Sequence, residues 1–283
     1  MRIVVASGKG GTGKTTVATS LALVARSIRF MDCDVEAPNA ALFLDPSVDT
    51  RKEVGILLPV VDEALCTHCG RCAEVCEFHA IAVIGRKTLV FPELCHGCGS
   101  CTLTCPENAI SERLDGMGML EGGITPTGVG FSGGVMNVGE PMAVPIIRAL
   151  KKWAPAVLEG YDVEIRDAPP GASCPVVETI RGADFVLLVT EPTPFGLHDL
   201  KQVVGIVQEL GIPAGVVVNR DGIGNNEIEA YCAGASLPIL LRIPMERRFA
   251  EAIASGKTLV DAAPEYRPLF HGLLENILAR VAA

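Results

Sequence analysis

Gly8-Lys9-Gly10-Gly11-Thr12-Gly13-Lys14-Thr15-Thr16 follows directly on an apolar, β-branched run, Ile3-Val4-Val5-Ala6, and opens a helical pattern from Thr15 to Ala25. Strand, glycine loop and helix in that order form the setting in which G-x-x-x-x-G-K-[ST] cradles phosphate. Glycines let backbone N–H groups turn inward around anionic oxygens, and the helix N-terminus adds favourable partial charge. Gly8, Gly10, Gly11, Thr12, Gly13, Lys14, Thr15 and Thr16 are therefore candidate nucleotide ligands. Lys14 would reach the β- and γ-phosphates, and the Thr15 hydroxyl would hold Mg²⁺.

The rest of the chain surrounds this loop with a large α/β pattern. Its 283 residues are 49% hydrophobic, enough for a sizeable core with room for an insertion. No apolar run approaches the ~18 residues of a membrane-spanning helix. The first residues run straight into a strand, so no secretory leader is expected. With 24 basic and 33 acidic residues the net charge is −9, which argues against nucleic acid as a partner. Eight of the eleven cysteines fall in two tight runs, which points to reduced, metal-binding thiols and a cytoplasmic setting.

A second strand, Ser27 to Met31, ends in Asp32-Cys33-Asp34-Val35-Glu36-Ala37-Pro38-Asn39, a polar loop where open α/β sheets bind ligands. A short helix over 38–44 and a strand from Gly55 to Val61 follow. From about Asp62 to Arg113 the βα rhythm stops and the chain repeats itself. Cys66-Thr67-His68-Cys69-Gly70-Arg71-Cys72-Ala73-Glu74-Val75-Cys76 recurs twenty-nine positions later as Cys95-His96-Gly97-Cys98-Gly99-Ser100-Cys101-Thr102-Leu103-Thr104-Cys105. Between the halves, Ala80 to Phe91 reads as a hairpin turning at Gly85. The glycine-rich segment from Gly116 to Gly139 reads as a long return loop, with at most a short strand near Val135 to Val138. From Pro141 helices and strands alternate again to the end. The apolar runs Phe185-Val186-Leu187-Leu188-Val189 and Gly215-Val216-Val217-Val218 read as central parallel strands. The expected domains are 1–61 and 114–283, together one predominantly parallel doubly wound sheet, and an inserted module over 62–113.

C-x₂-C-x₂-C-x₃-C, twice, is the spacing of a bacterial ferredoxin with two [4Fe–4S] clusters, in which the fourth cysteine of each run ligates the other cluster. One site is then Cys66, Cys69, Cys72 and Cys105, and the other Cys95, Cys98, Cys101 and Cys76. Zinc sites use pairs of C-x₂-C rather than such quartets. Glu77 stands where that ferredoxin pattern has the proline that Pro106 supplies in the second run. A further acidic residue, Asp167, ends the strand 161–167 ahead of Ala168-Pro169-Pro170-Gly171. With a phosphate loop present this reads as a Walker B site, with Asp167 holding Mg²⁺ through water and Gly171 sensing the γ-phosphate.

Lys9, inside the glycine loop, is not required for binding phosphate. Together with Asp32-x-Asp34, Pro38-Asn39 and Asp167-x-Pro169-Pro170-Gly171 it makes the chain resemble the deviant-Walker P-loop ATPases: MinD, ParA, the nitrogenase iron protein and the Mrp-type carriers. More closely, the chain resembles MinD-superfamily ATPases with an inserted ferredoxin domain. Asn137-Val138-Gly139-Glu140-Pro141, Ser173-Cys174-Pro175 and Thr190-Glu191-Pro192-Thr193 fit that group. The resemblance implies that Lys9 reaches across a dimer to the partner's ATP, as an arginine finger does. It also implies that Asp34 orients the attacking water, with Asp32 a weaker candidate, and that Asn219 and Pro244 meet the adenine. Cys33, Cys174 and Cys232 read as small buried hydrophobes, although in the nitrogenase iron protein a bridging cluster hangs from a cysteine placed like Cys174.

The last helix carries Leu269, Phe270, Leu273, Leu274, Ile277, Leu278 and Val281 on one stripe and lacks a basic face, so it reads as core packing, with no membrane contact. The expected whole is an ATP-hydrolysing dimer, homodimeric or paired with a paralogue, using ATP, Mg²⁺ and two [4Fe–4S] clusters. Its ATP-driven switching would be coupled to electron transfer to, or cluster assembly on, a client protein. The alternative is a redox-sensing, MinD-like positioning switch.

Overall fold

The computed structural model describes residues 1–153 and 158–282. Its eleven strands are β1 (Arg2–Ala6), β2 (Ile28–Asp32), β3 (Ser47–Val61), β4 (Ile81–Ile84), β5 (Lys87–Val90), β6 (Ile110–Ile124), β7 (Gly130–Met136), β8 (Val163–Asp167), β9 (Phe185–Thr190), β10 (Ala214–Asp221) and β11 (Ile239–Pro244). The helices are α1 (Lys14–Ala22), α2 (Ala41–Leu44), α3 (Arg71–Glu74), α4 (Ser100–Thr104), α5 (Val144–Lys152), α6 (Cys174–Ile180), α7 (Pro194–Glu209), α8 (Glu227–Gly234), α9 (Arg247–Ala254), α10 (Leu259–Ala262) and α11 (Arg267–Ala282).

Nine strands form one sheet in the order β11-β10-β9-β1-β8-β2-β7-β6-β3, and β4 pairs with β5 in a separate hairpin. The chain divides into two compact units. One comprises Met1–Lys52, Leu120–Val135 and Ile147–Ala283; the other comprises Glu53–Met119 and Met136–Ile146. The repeated cysteine region expected over 62–113 falls inside the second.

In the first unit β1 lies parallel between β8 and β9, and the parallel pairing extends through β10 to β11 on one side and through β2 to β7 on the other. Alternation along β1 sends its side chains to both faces. Ile3 and Val5 join a core with Val17, Leu21, Phe185 and the α11 residues Phe270, Leu273, Leu274 and Ile277. Val4 and Ala6 join a second core with Val176, Ile180, Leu200, Val203 and Val216. A strand buried on both faces is why its sequence is continuously apolar. The last helix packs as its stripe implies, except that Leu269 is half exposed. Among the described residues no helix is long and apolar enough to cross a membrane.

The segment from Gly116 to Gly139 is the main departure from expectation. It is not a return loop: most of it lies in β6 and β7, and β3 begins eight residues earlier than the strand expected from Gly55. Glycine in a strand marks close approach of another backbone as well as a turn. A Cβ at Gly123 would collide with the Ser47 carbonyl in the first unit, and one at Gly55 with the Asp115 carbonyl in the second. The true turn lies between β6 and β7, where the Thr125 N–H donates to the Val129 carbonyl (2.9 Å) and the Gly128 N–H to the Thr125 carbonyl (2.9 Å).

This reading separates two glycines by sign. Gly123→Ala should cost about 1–3 kcal/mol, because the neighbouring strand must yield. Gly205→Ala, on α7 with nothing near its Cβ position, should gain up to about 1 kcal/mol from helix propensity. Denaturant midpoints of the two variants check the pair; equal shifts would remove the close-approach explanation.

Candidate functional site

The phosphate loop links β1 to α1 at the C-terminal end of the parallel strands, where open α/β sheets take their ligands. Helix α1 starts at Lys14 behind Gly13, whose φ is 89° and which carries no side-chain cap. The first N–H groups of the helix are thus left for an anionic ligand. Gly13 is also sterically required: a Cβ there would run into the Asn219 amide, and that amide donates to the Thr12 carbonyl at 2.7 Å.

The loop opens on a solvent-open cleft of about 1020 Å³. Lys9, Gly10, Gly11, Gly13, Lys14, Thr15, Thr16 and Asp34 all line it. Gly8 and Thr12 belong to the same loop without lining the cavity, and Thr12 is buried. Asn219 and Pro244 do not line it either; Asn219 stands behind the loop and Pro244 closes β11. The lining adds Phe43, Ile253 and Arg220, which no motif marks. Arg220 directly follows Asn219 at the end of β10, the only sequence signal it offers.

Asp167 is fully buried at the end of β8 and uses both carboxylate oxygens on the loop. Lys14 Nζ lies 2.7 Å from Oδ1, and Thr15 Oγ1 donates to Oδ2 at 2.6 Å. The two aspartates after β2 have different surroundings. Asp34 faces the cavity, and burial raises its pKa. Asp32 is buried and accepts backbone N–H bonds from Asp34 (3.1 Å), Asn39 (3.2 Å) and Ala40 (3.0 Å), which fix the loop around Asp34. Burial first, and the Asp167 charge second, push its pKa to about 7.

Lys9 bonds Glu191, the residue that follows β9. The other oxygen of Glu191 takes Arg220 at 2.8 Å, and Arg220 also donates to the Gly11 carbonyl at 2.9 Å. Burial raises the Glu191 pKa, but the two cations outweigh it and leave the carboxyl below its ordinary value.

In the second unit the eight clustered cysteines divide between two cavities. One, a partly open cavity of about 340 Å³, is lined by Cys66, Cys69, Cys72 and Cys105. The other, about 400 Å³, is lined by Cys95, Cys98, Cys101 and Cys76. In each, three thiols come from one run and the fourth from the other. The internal repeat extends to the backbone: left-handed φ angles recur 29 residues apart at His68 and Gly97 (54° and 63°), Gly70 and Gly99 (84° and 74°), and His79 and Asn108 (52° and 50°). Backbone N–H groups donate to sulfur at matching places, Ala80 to Cys76 at 3.2 Å and Ala109 to Cys105 at 3.3 Å. The hairpin turns at Gly85, as expected. Pro106 lines the first cavity, while Glu77 lines neither; Phe78, its neighbour, stacks on His96 beside the second with ring centroids 3.6 Å apart. Among the described residues no group of three or more His, Cys, Asp or Glu side chains converges on a point that would hold a single metal ion. The thiols instead surround volumes.

Of the remaining cysteines, Cys33 and Cys232 are buried, and burial lifts the Cys33 thiol to about 12. Cys174 differs from the buried reading: it is exposed, at the first position of α6.

Known proteins share this chain's sequence pattern and fold. The sequence pattern described as the CobQ/CobB/MinD/ParA nucleotide binding domain matches residues 3–260. The uncharacterized protein MJ0579 of Methanocaldococcus jannaschii is 31% identical over 265 residues, covering 92% of this chain and 91% of that one. MJ0578 of the same organism is 35% identical over 234 residues, 80% of each chain. Among solved structures, the septum site-determining protein MinD of Pyrococcus horikoshii, complexed with Mg-ADP, aligns over 100% of this chain and 98% of its own. Its TM-score is 0.58 at 22% identity, a likeness of fold. The chain therefore belongs to the CobQ/CobB/MinD/ParA family of nucleotide-binding domains, with the large, mostly parallel sheet of a MinD/ParA-type P-loop ATPase.

Proposed function

We propose that this chain is a Mg²⁺-dependent ATPase acting as an ATP-bridged dimer, and that its second unit carries two [4Fe–4S] clusters that pass electrons to a partner protein. The observation that carries the cluster assignment is the division of eight thiols into two crossed quartets, each around its own cavity. A polynuclear cluster needs four sulfurs spread around a volume, whereas a single ion needs them converging on a point. Cys66, Cys69, Cys72 and Cys105 would hold one cluster; Cys95, Cys98, Cys101 and Cys76 the other. Such a cluster, when bound, would supply one-electron redox chemistry. The chain's own N–H donors to sulfur, with the exposure of each cavity, would tune it.

In the first unit Lys14, Thr15 and Asp167 form a bonded set at the loop. This bonded set supports a reading in which the Lys14 ammonium would meet phosphate, and the Thr15 hydroxyl and the Asp167 carboxylate would serve Mg²⁺ and its water. The MinD structure that contains Mg-ADP supports the same cargo here. Asp34, on the cavity wall, is the group that would orient the attacking water. Lys9 is the cation offered to the partner's ATP. Since one archaeon holds two relatives of this kind, two identical chains or a pair of paralogues would form the composite site. Exposed Cys174 favours a second reading, in which a dimer hands a metal cluster to a client.

Anaerobically purified protein should contain about 8 iron atoms per chain, falling to about 4 in Cys69→Ser/Cys72→Ser. Iron well below that level in intact protein would remove the double-cluster assignment. Loss of iron in Cys174→Ser would favour the cluster-transfer reading. In Lys9→Ala, ATP should still bind, measured by titration of a fluorescent analogue, while turnover drops by roughly 10³-fold, as loss of a trans-acting cation does. Normal turnover would reduce the loop to an ordinary P-loop. Asn219→Ala frees the Thr12 carbonyl and should weaken nucleotide binding about fivefold, equivalent to about 1 kcal/mol for one hydrogen bond.

A further inference from the structure

Glu191 joins two cations that come from different parts of the nucleotide pocket. Lys9 lies in the phosphate loop; Arg220 is the penultimate residue of β10 and is itself tied to that loop through the Gly11 carbonyl. The exposures of the three side chains differ in a telling way: Glu191 is 7% exposed, Lys9 32% and Arg220 41%. The carboxylate is thus the buried hub, and the cations are the parts with access to solvent. Both of its oxygens are used, one by each cation.

Two consequences follow from elementary electrostatics. A lysine paired within its own chain has its charge neutralised and its side chain turned inward, so it offers little to a phosphate on another molecule. To reach one, it must leave Glu191. Stripping a buried carboxylate of its only cation is costly, because the remaining charge is left desolvated and unpaired. Here it would not be the only cation. Arg220, held in place by Gly11, stays on the other oxygen, so Lys9 can exchange carboxylate for phosphate without orphaning Glu191.

We propose that Glu191 is a positioning residue that holds Lys9 in a resting, self-paired state, and that Arg220 is the second cation that makes its release to a partner's nucleotide possible. This rests on the reading of Lys9 as a residue acting across a dimer and adds how that action is restrained. The contact is an intrachain competitor for the intermolecular one. Assembly therefore requires the nucleotide phosphate to outbid Glu191, and a nucleotide lacking the γ-phosphate has less with which to do so.

The two positions should act with opposite sign, which a merely structural role would not produce. Sedimentation velocity of the full, anaerobically prepared chain with Mg²⁺ and a non-hydrolysable ATP analogue reads the dimerisation constant. Glu191→Gln should dimerise at about tenfold lower protein concentration than wild type, since Lys9 is released. Arg220→Gln should require about tenfold higher concentration, since Glu191 then depends on Lys9 alone. The double variant should follow Glu191→Gln. Glu191→Asp, which keeps the charge but shortens the reach to Lys9, should shift in the same direction as Glu191→Gln and replaces it if the amide fails to fold.

Unchanged or weakened dimerisation in the Glu191 variants, with nucleotide-driven dimers in wild type, overturns this proposal alone. Absence of such dimers in wild type and Glu191 variants alike overturns the composite-site reading with it. Dimers in Glu191→Gln but not in wild type would be the strongest support.

Discussion

The carboxylate of Asp167 is the contact on which the nucleotide pocket depends. It is fully buried at the end of β8, and both its oxygens are bonded by the loop that follows β1, to Lys14 at 2.7 Å and Thr15 at 2.6 Å. A buried charge of this kind persists only when it is paired and hydrogen-bonded. Its partners are also the two side chains best suited to phosphate and Mg²⁺. The sheet therefore does more than support the loop. Parallel pairing of β1 with β8 brings the two strand ends together, and the loop cannot turn elsewhere without leaving Asp167 unpaired. Asp32 anchors the adjacent loop in the same manner, by three backbone N–H bonds, and leaves Asp34 facing the cavity.

The second unit follows a different constraint. Around its cysteines, Cys72, Ile81 and Ile110 form one small buried group, and Leu58, Ala80 and Cys95 another. Small buried groups of this kind gain from a metal or disulfide that ties them together. Clusters held by the crossed quartets, as proposed, would add such a tie. Each cavity draws its fourth thiol from the other run, so a filled cavity would link both halves of the repeat.

Much of this was legible in the sequence, because the motifs are local. Nine consecutive residues from Gly8 to Thr16, an aspartate at a strand end and two runs with fixed cysteine spacing need no tertiary information to be noticed. The glycine-rich segment misled for a physical reason. Glycine serves turns and close strand approach equally, and only the position of Ser47 or Asp115 distinguishes the two uses. Asn219 illustrates another limit: its place at the end of β10 was legible, but its bond to the Thr12 carbonyl was not. Glu191 and Arg220 lay outside any assigned role because their meaning arises when β9, β10 and the phosphate loop are adjacent, an arrangement set by strand order.

If one chain carries both the ATPase and the clusters, as proposed, with β3 and β6 contributing residues to both units, nucleotide turnover should respond to iron–sulfur redox state. The most direct test is the steady-state ATPase rate of cluster-loaded protein under anaerobic conditions, clusters oxidised against clusters reduced, at equal protein and Mg-ATP concentrations. The account predicts rates that differ severalfold between the two states. Equal rates in both states would contradict it.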